Sequence, residues 1–162
     1  GKYILIPALA NLDVLIWRMD GIKKAAAEYP GVELITTVEI GTDMSQIYGR
    51  IENAYTAHPD VDAFFGTDFF SEPLAKFIKN RNLVGKVKGA VFDITPGILK
   101  GLDNGALQVT TDQNPYLQGY YAVMQLYLMI EKGQPGIEIN TSSTIVTKAN
   151  MKRYIDHYGM GQ

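Results

Sequence analysis

Short apolar runs alternate with amphipathic helical patterns along nearly the whole chain, and this alternation restricts the fold more than any other feature. Lys2 to Ala8 is an apolar run of the buried-strand kind. From Asp13 to Tyr29, the residues Leu15, Met19, Ile22, Ala26 and Tyr29 share one helical face, and Pro30-Gly31 ends it. Val32 to Val38 is β-branched and strand-like. Asp43, with Gln46 three residues on, opens a second helix in the manner of a capping box. Its inner stripe is Met44, Ile47, Ile51, Ala54 and Tyr55, and His58-Pro59-Asp60 stops it. Val61 to Phe65 and Val87 to Phe92 read as the third and fourth strands, with Leu74, Phe77 and Ile78 marking a helix between them. Ile98, Leu99 and Leu102 mark the fourth helix, Leu107 to Thr111 a fifth strand, and Pro115 to Lys132 a fifth helix. A loop from Gly133 to Gly136, a β-branched run from Thr141 to Thr147 and a short terminal helix complete the pattern. Strands alternating with helices in this way predict an α/β protein with a parallel sheet and right-handed crossovers.

Two strand ends stand out. Val91-Phe92-Asp93-Ile94-Thr95-Pro96 and Thr111-Asp112-Gln113-Asn114-Pro115 each run from a strand directly into a helix start. Thr95-Pro96 and Asn114-Pro115 supply an N-cap residue followed by proline at the first helical position, where its missing N–H costs nothing. Asp93 and Gln113 therefore fall at the C-terminal edge of the sheet, where open parallel sheets bind ligands. A carboxylate and an amide on one rim, without an adjacent nucleophile, point to recognition.

Bulk properties narrow the classes further. At 162 residues the chain has the size of one ordinary domain, and 20% charged against 46% hydrophobic residues describes a folded protein. A net charge of −2 with scattered lysines offers no polyanion footprint, so no nucleic-acid partner is expected. Without cysteine, disulfides and thiolate metal sites are ruled out, which fits an exported protein. No segment approaches the ~20 apolar residues of a membrane-spanning helix. Gly1-Lys2 leads directly into a strand, with no visible signal peptide, so the chain reads as an excised or mature piece. The phosphate loop, the dinucleotide fingerprint and the nucleophile elbow are all missing. Asp93-Ile94-Thr95 resembles a phosphoryl-accepting aspartate, but Thr95 replaces the second acid a phosphatase would use. No acidic pair for Mg²⁺ follows the first strand either, and His58 and His157 are isolated. No enzyme, metal or cofactor is expected. Asn140-Thr141-Ser142 is a formal glycosylation sequon, read as a chance match.

The fifth helix is the outlier. Between Tyr116 and Ile130 only Gln118, Gly119 and Gln125 are neither apolar nor aromatic. A helix apolar nearly all round is normally buried on every side, whereas an outer crossover helix keeps a solvent face. It expects a further partner.

Taken together, the chain resembles the C-terminal lobe of the periplasmic sugar-binding proteins of the ribose-binding type, which share their lobe fold with lactose-repressor-type effector domains. Arg18-Met19-Asp20-Gly21-Ile22 resembles the family's Arg-x-x-Gly-Phe turn, and Thr56 to Phe64 its helix-to-strand link. Phe92-Asp93-Ile94-Thr95-Pro96 is similar to Gly-Phe-Asp-x-Thr-Pro, and Gln113 through Tyr120 to the hinge glutamine and its helix. Val146 to Asn150 resembles the closing strand of transport-type members.

The resemblance implies a three-layer, Rossmann-like lobe of the type I periplasmic-binding-protein class, binding a sugar between two lobes. Residues 1–112 would be the ligand-binding lobe, 113–139 a hinge crossing with the apolar helix, and 140–162 a returning strand and terminal helix. The helix would pack on an N-terminal lobe absent from this sequence. The implied ligand contacts are Arg18, Asp93 and Gln113. Arg18 offers a planar fork of donors, Asp93 a carboxylate for vicinal hydroxyls, and Gln113 both donor and acceptor. Two positions depart from the family pattern. Thr67 stands where ribose binders place an asparagine, and Thr42 where a stacking phenylalanine is common. Trp17, Phe69 and Phe70 are the rings nearby in the sequence that could take its place. The implied partners are a small sugar, an ABC permease and the other lobe, on the periplasmic or extracellular face of the membrane. Val84 to Val87 and Val109 to Asp112 fit transport members better than repressors, and an extracytoplasmic sensor domain is the alternative. The isolated chain is expected to dimerise through its exposed helix.

Overall fold

The computed structural model describes residues 1–141 and 143–157; Ser142, the third residue of the sequon, lies outside them. Among these residues six strands form one sheet: β1 (Lys2–Ile6), β2 (Glu33–Thr37), β3 (Ala63–Gly66), β4 (Lys88–Phe92), β5 (Val109–Asp112) and β6 (Thr144–Val146). Their order is β2-β1-β3-β4-β5-β6, with β1 to β5 mutually parallel. The helices are α1 (Asp13–Ala27), α2 (Met44–Ala57), α3 (Pro73–Asn80), α4 (Pro96–Asp103), α5 (Pro115–Lys132) and α6 (Lys152–His157).

The chain steps from β1 outward to β2, then reverses and adds β3, β4 and β5 on the other side of β1. With crossovers of one hand, that reversal sends α1 to one face and α2, α3 and α4 to the opposite face. Strand alternation supplies both cores. Tyr3 and Leu5 pack with Met19, Ile16 and Phe65 on the α1 side. Ile4, Ile6 and Phe64 join Ile47, Ile51, Leu74, Phe77 and Leu102 on the other. Tyr29 and Met44, expected on inner stripes, are exposed because α1 has already ended at Ala27 and Met44 is the first residue of α2.

Helix starts follow the expected chemistry at two sites and depart from it at a third. Asp43 caps α2 by accepting from Ser45 N–H at 3.0 Å, while Gln46 Nε2 donates to its other carboxylate oxygen at 2.8 Å. Thr95 Oγ1 accepts from Ile98 N–H at 3.2 Å, with Pro96 beginning α4. Asn114 does not cap α5 with its side chain. It sits in the left-handed region at φ 54°, held there by Asp112 Oδ1, which accepts its N–H at 2.9 Å.

The expected parallel sheet is formed by β1 to β5, and β6 joins its edge antiparallel to β5, pairing Asp112 with Thr144 and Thr110 with Val146. The cause is the path of the chain. It leaves the sheet at the C-terminal end of β5, passes through α5, and returns at the same end, where Asn114 Nδ2 donates to Thr141 O at 2.9 Å. A strand begun there has to run backward.

Helix α5 has no buried residue. Tyr116, Val123 and Ile130 are 74%, 67% and 75% exposed, and the helix ties mainly to its own following loop through Gln125 Oε1, which accepts Ile137 N–H at 2.7 Å. The pattern that is apolar all round thus corresponds to a helix standing off the sheet.

Candidate functional site

Parallel strands put their C-terminal ends on one edge, so Thr67 after β3, Asp93 after β4 and Gln113 after β5 lie side by side on adjacent strands. This edge is also where the strand order reverses at β1 and β3, the position at which open α/β sheets form a crevice. Arg18, on the second turn of α1, reaches across it. Its guanidinium donates to Thr67 O at 2.7 Å and to Gln113 Oε1 at 2.6 Å. Gln113 Nε2 in turn donates to Asp93 Oδ1. The amide bridges a cation and an anion, with its orientation set by both. The guanidinium carbon lies 4.6 Å from the centre of the Phe92 ring, a cation–π contact. Arg18, Gln113 and Phe92 of this group line an open cleft of about 620 Å³ with Thr111, Gln118 and Ile145.

Capacity is left over in this network. Two of the five guanidinium donors are engaged, and Asp93 Oδ2 accepts no hydrogen bond among the described residues. Vicinal hydroxyls, each able to donate and accept, match such a pairing of free donors with a free carboxylate oxygen. Asp93 is also held at φ 75°, in the left-handed region that a residue with a Cβ occupies only under constraint.

The other expected positions are placed differently. Thr67 is fully buried; its carbonyl meets Arg18, while its hydroxyl turns inward to Asp68 Oδ2 at 3.2 Å. Thr42 is exposed on the β1–β2 side of the same edge, where Gly41 N–H donates to Ala8 O at 3.0 Å, outside the Arg18 network. Trp17 is 71% exposed and Phe69 45%, the latter stacked on Phe70 at 4.1 Å between centroids. The ring that does contact Arg18 is Phe92, which the sequence marks as part of the strand-end motif without giving its ring a role. Its place one residue before Asp93 was the available signal.

Asp68 also escaped the sequence reading. Its carboxylate accepts from Ala8 N–H at 3.0 Å, from the Thr67 hydroxyl and from Phe70 N–H at 2.9 Å, tying the end of β1 to the end of β3. Behind it the 3-10 turn Phe69–Ser71 folds back so closely that a Cβ on Gly66 would lie 2.1 Å from Ser71 Oγ. Burial pushes the Asp68 carboxyl above its usual range, the accepted hydrogen bonds opposing that shift, with the nearby Asp93 charge adding to it. The folded protein then holds this proton more tightly than the unfolded chain. Its contribution to stability is full below the unfolded value of about 3.9 and declines as pH rises through the raised folded value. Urea titrations across that window are expected to show this decline in the parent chain and its loss in Asp68→Asn. An identical pH slope in both proteins would contradict it.

Solved structures of the same shape identify the fold as a type I periplasmic-binding-protein lobe. An ABC transporter solute-binding protein from Burkholderia graminis in complex with D-arabinose matches with a TM-score of 0.87 at 32% identity, covering 95% of this chain and 55% of that one. A glucose-galactose binding protein from Geobacillus stearothermophilus gives 0.86 at 22% identity over 93% and 54%, a likeness of fold alone. A xylose/arabinose-binding protein of Sulfolobus acidocaldarius is 26% identical over 161 residues, 94% of this chain and 39% of that protein. Residues 1–135 match the family described as periplasmic binding protein domain, and the chain belongs to that family. It spans roughly half the length of the matched structures and less of the Sulfolobus relative.

Proposed function

We propose that the chain is the C-terminal lobe of an extracytoplasmic receptor that holds a sugar between two lobes and delivers it to an ABC permease. The observation carrying this is the Arg18–Gln113–Asp93 network, which leaves guanidinium donors and a carboxylate oxygen free on the sheet edge beside the Phe92 ring. Arg18, Asp93 and Gln113 are the direct contacts in this reading. Thr67 acts by orienting Arg18 through its carbonyl, and Thr42 lines the outer margin. The chain binds and does not catalyse. Sugar-binding relatives support the substrate class, and pentoses are the first candidates because arabinose is named for both the Burkholderia complex and the Sulfolobus relative. A thermal-shift screen of the two-lobed protein against monosaccharides, D-arabinose and D-xylose included, is the test. A ligand that binds the native state raises the melting temperature. No shift with any sugar would reject the reading.

Residues 113–139 form the crossing in this reading, and the second lobe covers α5. The chain by itself then has half a site and an uncovered helix. A micromolar two-lobed site is worth about −8 kcal/mol, and half the contacts leave about −4, a millimolar affinity. Exposed apolar patches of several hundred Å² find partners, so the isolated chain is expected to self-associate through α5 in a concentration-dependent way. Sedimentation showing only monomer at high concentration would refute the association, and calorimetry showing micromolar binding to the isolated chain would refute the half-site.

A further inference from the structure

Five polar side chains are buried among the described residues (Thr67, Asp68, Ser71, Thr110 and Asp112), all but Thr110 at the strand ends and turns along one edge of the sheet. Four of them act on their own loop or on the turn beside it. Thr110 is different. It lies inside β5, fully buried, opposite Val91 in the parallel register. Its hydroxyl donates to the Asp93 carbonyl oxygen at 2.7 Å, while the next residue of β5, Thr111, accepts the Asp93 N–H through its own carbonyl at 2.8 Å. Two consecutive residues of one strand thus hold both polar groups of the Asp93 backbone.

That grip falls where the backbone needs it. Asp93 has φ 75°, a conformation that strains a residue with a Cβ and persists only where surroundings over-determine it. The left-handed turn sends the carboxylate sideways to Gln113 Nε2 instead of onward with the strand. From these contacts we infer that Thr110 is a positioning residue for Asp93: its buried hydroxyl holds the left-handed turn that presents the carboxylate to Gln113 and to ligand. The ligand part of this statement rests on the binding reading above; the positioning part does not.

Thr110→Val keeps the shape and removes the donor, and Thr110→Ser keeps the donor and removes a methyl group. In the 162-residue chain, nuclear magnetic resonance reads the outcome without any sugar. In Thr110→Val the Gln113 side-chain amide protons are expected to move upfield and exchange with water about tenfold faster, as the half-buried Asp93 carbonyl loses its donor and the turn relaxes. Thr110→Ser is expected to restore both signals, a rescue that a purely space-filling role for Thr110 would not produce. Unchanged Gln113 and Asp93 resonances in Thr110→Val overturn the inference, as does failure of Ser to rescue. Should the Val variant not fold, the unsubstituted chain decides: a Thr110 hydroxyl proton protected from exchange supports the contact, and a freely exchanging one overturns it. The binding reading fails separately, if Asp93→Ala leaves the affinity of the two-lobed receptor untouched.

Discussion

Replacing Arg18 by Ala in the two-lobed receptor is expected to weaken sugar binding about a hundredfold. The guanidinium does three things at once. It donates to Thr67 O, it fixes the Gln113 amide through Oε1, and it lies over the Phe92 ring. Truncation leaves two acceptors, Thr67 O and Gln113 Oε1, without their donor, each costing roughly 1–3 kcal/mol, and removes the charged donors offered to ligand. A net loss near 3 kcal/mol corresponds to about two orders of magnitude in Kd. Arg18→Lys is expected to recover little of it, since an ammonium is a point charge that cannot span Thr67 and Gln113 as the planar fork does. Asp93→Ala is expected to lose a comparable amount, because its free Oδ2 and the orientation of Gln113 disappear together. Isothermal calorimetry on the three variants checks this; an Arg18→Ala receptor of wild-type affinity would remove the site from this edge.

The largest effect on stability belongs to Phe77→Ala. Phe77 is fully buried and takes edge-to-face contacts from Tyr55, Tyr48 and Phe64 at 5.5, 5.9 and 6.3 Å between ring centres. It is the point where α2, α3 and β3 converge, with Leu74 and Ile78 of the same helix face also fully buried. Removing such a ring costs about 3–5 kcal/mol, because transfer energy and an unfilled cavity add. For a domain of this length that lowers Tm by roughly 6–20 °C. Urea denaturation giving less than about 1 kcal/mol would mean that the three rings close over the gap, contrary to the packing seen.

Part of the candidate site is legible in the sequence. Asp93 and Gln113 could be assigned to strand ends because Thr95-Pro96 and Asn114-Pro115 mark helix starts by local chemistry, and local chemistry is readable. The reading was weaker wherever a residue's role depended on another strand. Asn114 looks like a capping residue but takes a left-handed turn, because the Asp112 carboxylate two residues back holds its N–H. Thr67 looks like a contact made through its hydroxyl, yet that hydroxyl is taken up by Asp68.

Period and punctuation in the sequence determined which segments are strands and helices, and roughly where each begins and stops. The alternation of Ile4 and Ile6 against Tyr3 and Leu5 also determined that the sheet has two covered faces. These properties depend on neighbours within a few positions, whose spacing the backbone geometry sets. Tertiary structure alone decided that β6 runs backward, that α5 leaves the sheet, and that Phe92 carries the Arg18 guanidinium. It alone decided that Arg18 meets Gln113 across 95 positions, Thr67 across 49, and that Thr110 meets Asp93 across 17. Such contacts depend on strand order, and strand order follows from how helices of fixed handedness pack on a shared sheet, which no window of local sequence contains.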